Sequence, residues 1–166
     1  MRNDLQVNNW VIVADGARAR FMAIERRDEA PQRAALRLVE IARMSNPEHT
    51  VSGRRAGRKI KSGRDTARGT LAPHGYTDHR EPHEAEVLRR FASRIAEQAS
   101  SLVSPATPSS VLLVADPRML GLLRAALEPM AKAGIALREL KRDYTWCSAP
   151  QLQRHLAVNG LLPQVS

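Results

Sequence analysis

The chain has 166 residues, 43% hydrophobic and 26% charged, with a formal charge of +9 and a pI near 10.9. That is enough chain for one domain with a real core and short for two. A single cysteine, Cys147, excludes an intrachain disulfide and a multi-cysteine zinc site, and no apolar run reaches membrane-spanning length.

The first residues, MRNDLQVNNW, carry no apolar signal-peptide core, so a cytoplasmic protein with no membrane partner is expected. Trp10 to Ala14 is an apolar, β-branched run that reads as a buried strand. Asp15-Gly16 then signals a tight hairpin of type I′, which needs positive φ. Ala17 to Glu25 alternates: Ala17, Ala19, Phe21, Ala23 and Glu25 share one face, and Arg18, Arg20, Met22 and Ile24 the other. Arg18 and Arg20 are expected on the more exposed part of this second strand.

Arg26 to Gln32 reads as a polar turn punctuated by Pro31. Leu36 to Met44 alternates again, with Leu36, Leu38, Glu40 and Ala42 opposed to Arg37, Val39, Ile41 and Arg43; a third strand is expected, although RAALRLVEIARM also suits a helix. Asn46-Pro47 ends it.

A basic segment follows, and the sequence predicts an extended loop over residues 45–80. Its centre, Ser52 to Gly69, holds Arg54, Arg55, Arg58, Lys59, Lys61, Arg64 and Arg68 against one acid, Asp65. It therefore supplies +6 of the +9. With Ile60 almost its only apolar side chain and four glycines, it buries too little to offset ordering entropy. It is expected to present cations to a polyanion. Arginine dominates, and its planar fork suits phosphate oxygens. No aromatic residue appears before Tyr76, so backbone contact is expected in place of base stacking. The alternative is a solvated loop without a partner.

Glu81-Pro82-His83 opens a helix. Val87, Leu88, Phe91, Ile95, Ala99 and Leu102 form its apolar stripe. Ser104 to Ser110 is a linker. Val111 to Ala115 reads as a central strand covered on both faces. Asp116-Pro117 caps a second helix, Pro129 disturbs its last turn and Gly134 ends it. Ile135 to Leu140 is a fifth strand. Ser148-Ala149-Pro150 introduces a short helix with Leu152, Leu156 and Val158 on its buried side. Residues 159–166 form a tail. The sum is one α/β domain over residues 10–158, a mixed sheet with helices on its faces and the long basic loop inserted after the third strand.

The phrases WVIVADGARARFMAIE, HEAEVLRRFASRIAEQ, VLLVADPRMLGLLRAAL and ELKRDYTWCSAPQLQRHL, in that order around the basic loop, resemble the bacterial family called "protein required for attachment to host cells". That family looks related to the central domain of archaeo-eukaryotic peptide-chain release factors. The resemblance spans roughly Trp10 to Leu156 and implies a ribonuclease-H-like fold. It also implies ribosome or structured-RNA contact, without evident DNA specificity, and a noncatalytic role in translation quality control. Release factors carry a Gly-Gly-Gln tip on the corresponding loop. This chain has Gly-Arg-Arg and Gly-Arg-Lys there instead, which leaves peptide release open. The attachment label names a phenotype and makes a host-attachment interaction protein the first alternative.

Other chemistry has thinner support. Asp15, Asp116 and Asp143 stand at strand ends, where clustered carboxylates hold Mg²⁺ in a metal-dependent ribonuclease; a hairpin and a helix cap explain the first two equally well. His74, His79 and His83, near Asp78 and Glu84, lack a fixed third ligand, so no metal is assigned. Asp116 and Arg118 at a strand-to-helix junction form a possible anion site; the alternative is that Arg118 is a surface residue and Gly121 allows close helix packing. No GxGxxG, P-loop or GxSxG occurs, and Cys147 has no paired histidine. No cofactor is expected.

Overall fold

A computed structural model describes residues 9–30, 33–49, 80–103, 108 and 110–162. Five strands form one sheet in the order β3-β2-β1-β4-β5. β1 (Asn9–Ala14), β2 (Arg18–Ala30) and β3 (Arg33–Ser45) make an antiparallel meander; β4 (Ser110–Ala115) and β5 (Ala136–Lys141) continue it in parallel with β1. The helices are α1 (Arg80–Val103), α2 (Pro117–Ala126), α3 (Glu128–Lys132) and α4 (Ala149–Val158).

Alternation decides the two cores. Trp10, Ile12 and Ala14 face one side with Ala19 and Phe21, where Phe91 and Ile95 of α1 and Leu120 and Leu123 of α2 cover them. Val11 and Val13 face the other side with Met22 and Val114, under Leu152 and Leu156 of α4. β1 and β4 are buried on both faces, which is why they read as continuous apolar runs. Each fully buried Phe or Ile side chain contributes about 1.5–3 kcal/mol.

Helix limits follow local chemistry. Asp116 Oδ1 accepts from the Arg118 and Met119 amides, and Pro117 sits in the first turn of α2. Pro129 splits the next stretch: α2 ends at Ala126, and α3 restarts with the proline in its first turn. Gly134, at φ 97°, ends α3. Ser148 and Gln151 form a reciprocal capping box on α4.

Several expectations are corrected. The β1–β2 hairpin does not use a positive φ at Gly16. Asp15 Oδ1 closes it, accepting from Ala17 N at 2.7 Å and Arg18 N at 2.8 Å. A Cβ at position 16 would lie 2.9 Å from Leu88 Cδ2 and 3.2 Å from His49 Cδ2, so a larger residue there would push those side-chain ends aside. The polar stretch after Glu25 is not a broad turn, because β2 and β3 stay paired out to Ala30 and Arg33. The third element is the expected strand, so the helical alternative falls away. Val158 is 81% exposed, not buried. Gly121 serves no close packing, since nothing lies within 4 Å of a Cβ placed there.

A bulge in β3 matters most. Phe21 pairs with Ala42 and Met22 with Glu40, so Ile41 has no opposite residue. The slip reverses facing along β3: Leu38 packs on the α4 side, while Ala42 and Met44 pack on the α1 side. Glu40 and Arg43 thereby come to one face and bond each other, although three residues apart in a strand.

Candidate functional site

β1, β3, β4 and β5 all end at one edge of the sheet. β1 departs toward β2 and β4 toward β5, so the chain leaves this edge in opposite directions, the place where open α/β sheets bind ligands. A cleft of about 570 Å³ opens there between the β2–β3 ribbon and the segment joining β5 to α4. Arg18, Arg20, Arg43, Trp146, Ser148 and Gln151 are among its lining residues.

Arg20 forms the floor. It lies on the α4 side of β2, beside Met22, and is 7% exposed where an exposed position was expected. Its Nε donates to Glu40 Oε1 at 3.3 Å, and its Nη1 donates to the carbonyls of Thr145 (3.3 Å) and Cys147 (2.5 Å). Its hydrogen bonds hold the joining segment in place. Glu40 also accepts two hydrogen bonds from Arg43, at 2.9 and 3.0 Å. Those bonds, with further help from Arg20, outweigh burial and hold the Glu40 carboxyl below the usual glutamate range.

Arg18 stands at the mouth. Its guanidinium carbon lies 3.9 Å from the centroid of the Trp146 ring, a close cation–π stack. Trp146 is nevertheless 73% exposed. Behind them, the Thr145 hydroxyl lies 3.0 Å from Asp15 Oδ2 and 2.7 Å from Asp143 Oδ1. It has one proton to donate between the two carboxylates.

Asp15 and Asp143 thus meet at Thr145, whereas Asp116 caps α2. Among the described residues, no three His, Cys, Asp or Glu side chains group as metal ligands. At the Asp116–Arg118 junction, the amides an anion would use already donate to the Asp116 carboxylate. Arg54, Arg55, Arg58, Lys59, Lys61, Arg64 and Arg68 lie outside the described residues, as do His74, Asp78 and His79.

The basic segment's departure point is described. Asn46, 2% exposed, donates from its amide nitrogens to Ala17 O (2.8 Å, backbone) and Gly16 O (2.9 Å, side chain). Its Oδ1 accepts from Glu48 N and from Arg94 of α1. Glu48 pairs in turn with Arg90 at 3.1 Å. Residues 46–48 are therefore anchored to both the β1–β2 turn and α1.

Residues 10–156 match the family described as "Protein required for attachment to host cells". The chain belongs to that family. No curated protein matches it. Within this host-attachment family chain, sequence reasoning passed over Trp146, Glu40, Arg43 and Asn46. Trp146 alone carried a signal: a large aromatic among the polar residues of RDYTWCS. No helix among the described residues is long and apolar enough to cross a membrane.

Proposed function

We propose that this host-attachment family chain is a noncatalytic RNA-binding protein that docks on the ribosome or another structured RNA. The observation that carries the reading is the concentration of seven basic residues within Ser52–Gly69. In sequence that segment follows Asn46, which lines the arginine-lined cleft. Its arginines and lysines supply affinity by displacing counterions from phosphates. The meander-plus-parallel strand order supports the finer reading of a ribonuclease-H-like, release-factor-central-domain-like fold. A role in translation quality control is consistent with that likeness.

The test is co-sedimentation with ribosomes and with naked structured RNA over a salt series. A variant with Arg54, Arg55, Arg58, Lys59, Lys61 and Arg64 changed to Ser serves as the comparison. Salt-sensitive binding is expected, with a log–log slope shallower by roughly 4–5 in the variant when all six cations contact phosphates. Equal binding by parent and variant would remove the loop from the interface.

A second reading follows from the family's description, which supports an interaction protein used in attachment to a host. Native protein on the cell exterior, detected by protease shaving of intact cells, would favour it. Retention inside would restrict any attachment role to an indirect one.

A further inference from the structure

We infer that the cleft takes one nucleotide unit, its base stacked on Trp146 and its phosphate held by Arg18 and Arg43. The inference deepens the RNA reading and rests on it for the source of the ligand. Trp146 keeps 73% of its surface in water even with Arg18 stacked on it, so much of the indole remains open to a planar partner. The platform is preorganised, because Arg20 holds the carbonyls of both neighbours, Thr145 and Cys147. The cleft lining contains three arginines and no carboxylate, although Arg20 and Arg43 pair with Glu40 just outside it and Arg18 lies 4.0 Å from Asp15 Oδ2, so a phosphate would share guanidiniums that are already paired. Its roughly 570 Å³ lies within the range of small-ligand sites.

The combination selects the ligand class. An acidic peptide would engage the guanidiniums and leave the indole in water. A neutral aromatic would cover the indole and leave the guanidiniums unused. A base with its phosphate uses both, and stacking tolerates any base because every base has a π-face.

Fluorescence reads the site directly, because Trp10 is 7% exposed in the core and Trp146 stands in the cleft. The full chain is titrated with adenosine 5′-monophosphate and with a short single-stranded oligoadenylate. Both are expected to quench Trp146, the oligomer at lower concentration. Trp146→Ala should bind the oligomer on the order of ten-fold more weakly, whereas Trp146→Phe, which keeps a stacking face, should bind nearly as the parent does. Parent-like oligomer affinity in Trp146→Ala, or binding without quenching, would overturn the assignment. Quenching by the mononucleotide with no gain for the oligomer supports the cleft, makes its ligand a free nucleotide and removes the RNA reading. The six-serine loop variant separates the two ideas. Mononucleotide quenching retained with the oligomer's advantage lost supports both. Oligomer affinity retained in full removes the loop's role and leaves the cleft standing.

Discussion

Arg20 donates a hydrogen bond to the carbonyl of Cys147, joining two residues 127 apart in sequence. With its bonds to Glu40 and Thr145, this buried guanidinium ties β2, β3 and the segment before α4 into one unit. Removing it leaves the buried Thr145 carbonyl and the part-buried Cys147 carbonyl without this donor and the Glu40 carboxylate with a single arginine. Arg20→Met should therefore cost about 2–4 kcal/mol, read as a shift of the urea midpoint at constant slope. Arg20→Lys should recover only part of the loss, since an ammonium cannot reproduce the planar three-way donation. Full stability in Arg20→Met would show that the joining segment is held by other contacts.

The Glu40 carboxyl is kept low chiefly by its hydrogen bonds from Arg43, then by Arg20, against the opposing effect of burial. A folded-state pKa below the unfolded one means that the unfolded chain binds more protons in acid. The resulting stability is present above the ordinary value of 4.5 and is lost as pH falls through the lowered folded value. Glu139, lowered by its bidentate contact with Arg124, acts in the same direction. Glu40→Gln should be less stable than the parent at neutral pH, and the gap should close as pH falls below 4.5. Urea unfolding at several pH values checks it; a gap that widens in acid would contradict the ion-pair account.

Gly121 sits mid-way along α2, exposed, with open space where a Cβ would go. Glycine in a helix interior costs about 0.8–1 kcal/mol relative to alanine. Gly121→Ala should raise stability by about that amount and the melting temperature by about 2–4 °C. A loss of stability would reveal a constraint at this position that local packing does not show.

Local chemistry made part of this molecule legible. Continuous apolar runs identified β1 and β4, and Asp116-Pro117 and Ser148-Pro150 marked helix starts that the caps explain. Alternation correctly grouped Arg20 with Met22. Which face was covered depended on α4, more than a hundred residues on, and so the burial of Arg20 was not readable. The bulge at Ile41 was equally hidden, because a single unpaired residue leaves the composition of a strand unchanged. The cleft followed the same rule: Arg18 and Trp146 meet only through the tertiary fold.

β3 is an edge strand, and α4 protects it. The side-chain amide of Gln153 donates to Leu36 O at 2.5 Å and accepts from Leu38 N at 3.1 Å, pairing with the strand as a neighbouring strand would. Gln153→Ala should cost about 1–2 kcal/mol and expose that edge. Faster amide exchange at Leu38 and a rise in concentration-dependent aggregation are the expected readouts. Unchanged exchange at Leu38 would mean that the amide pairing adds no protection.

Asn46, which precedes the basic segment in sequence, is buried and tied to two elements. Its side-chain amide donates to Gly16 O while its Oδ1 accepts from Glu48 N and Arg94, so one buried residue links the β1–β2 turn to α1. Asn46→Asp keeps the acceptor, loses the donor to Gly16 and adds a second carboxylate close to Glu48. Asn46→Ala loses both functions. Both variants should be less stable than the parent, by about 1–3 kcal/mol for alanine. Asn46 also lines the cleft, so both the mononucleotide quenching of Trp146 and the oligomer's advantage should weaken in Asn46→Ala at temperatures well below its melting point. An undiminished advantage in the folded variant would show that the basic segment does not depend on this anchor to reach RNA.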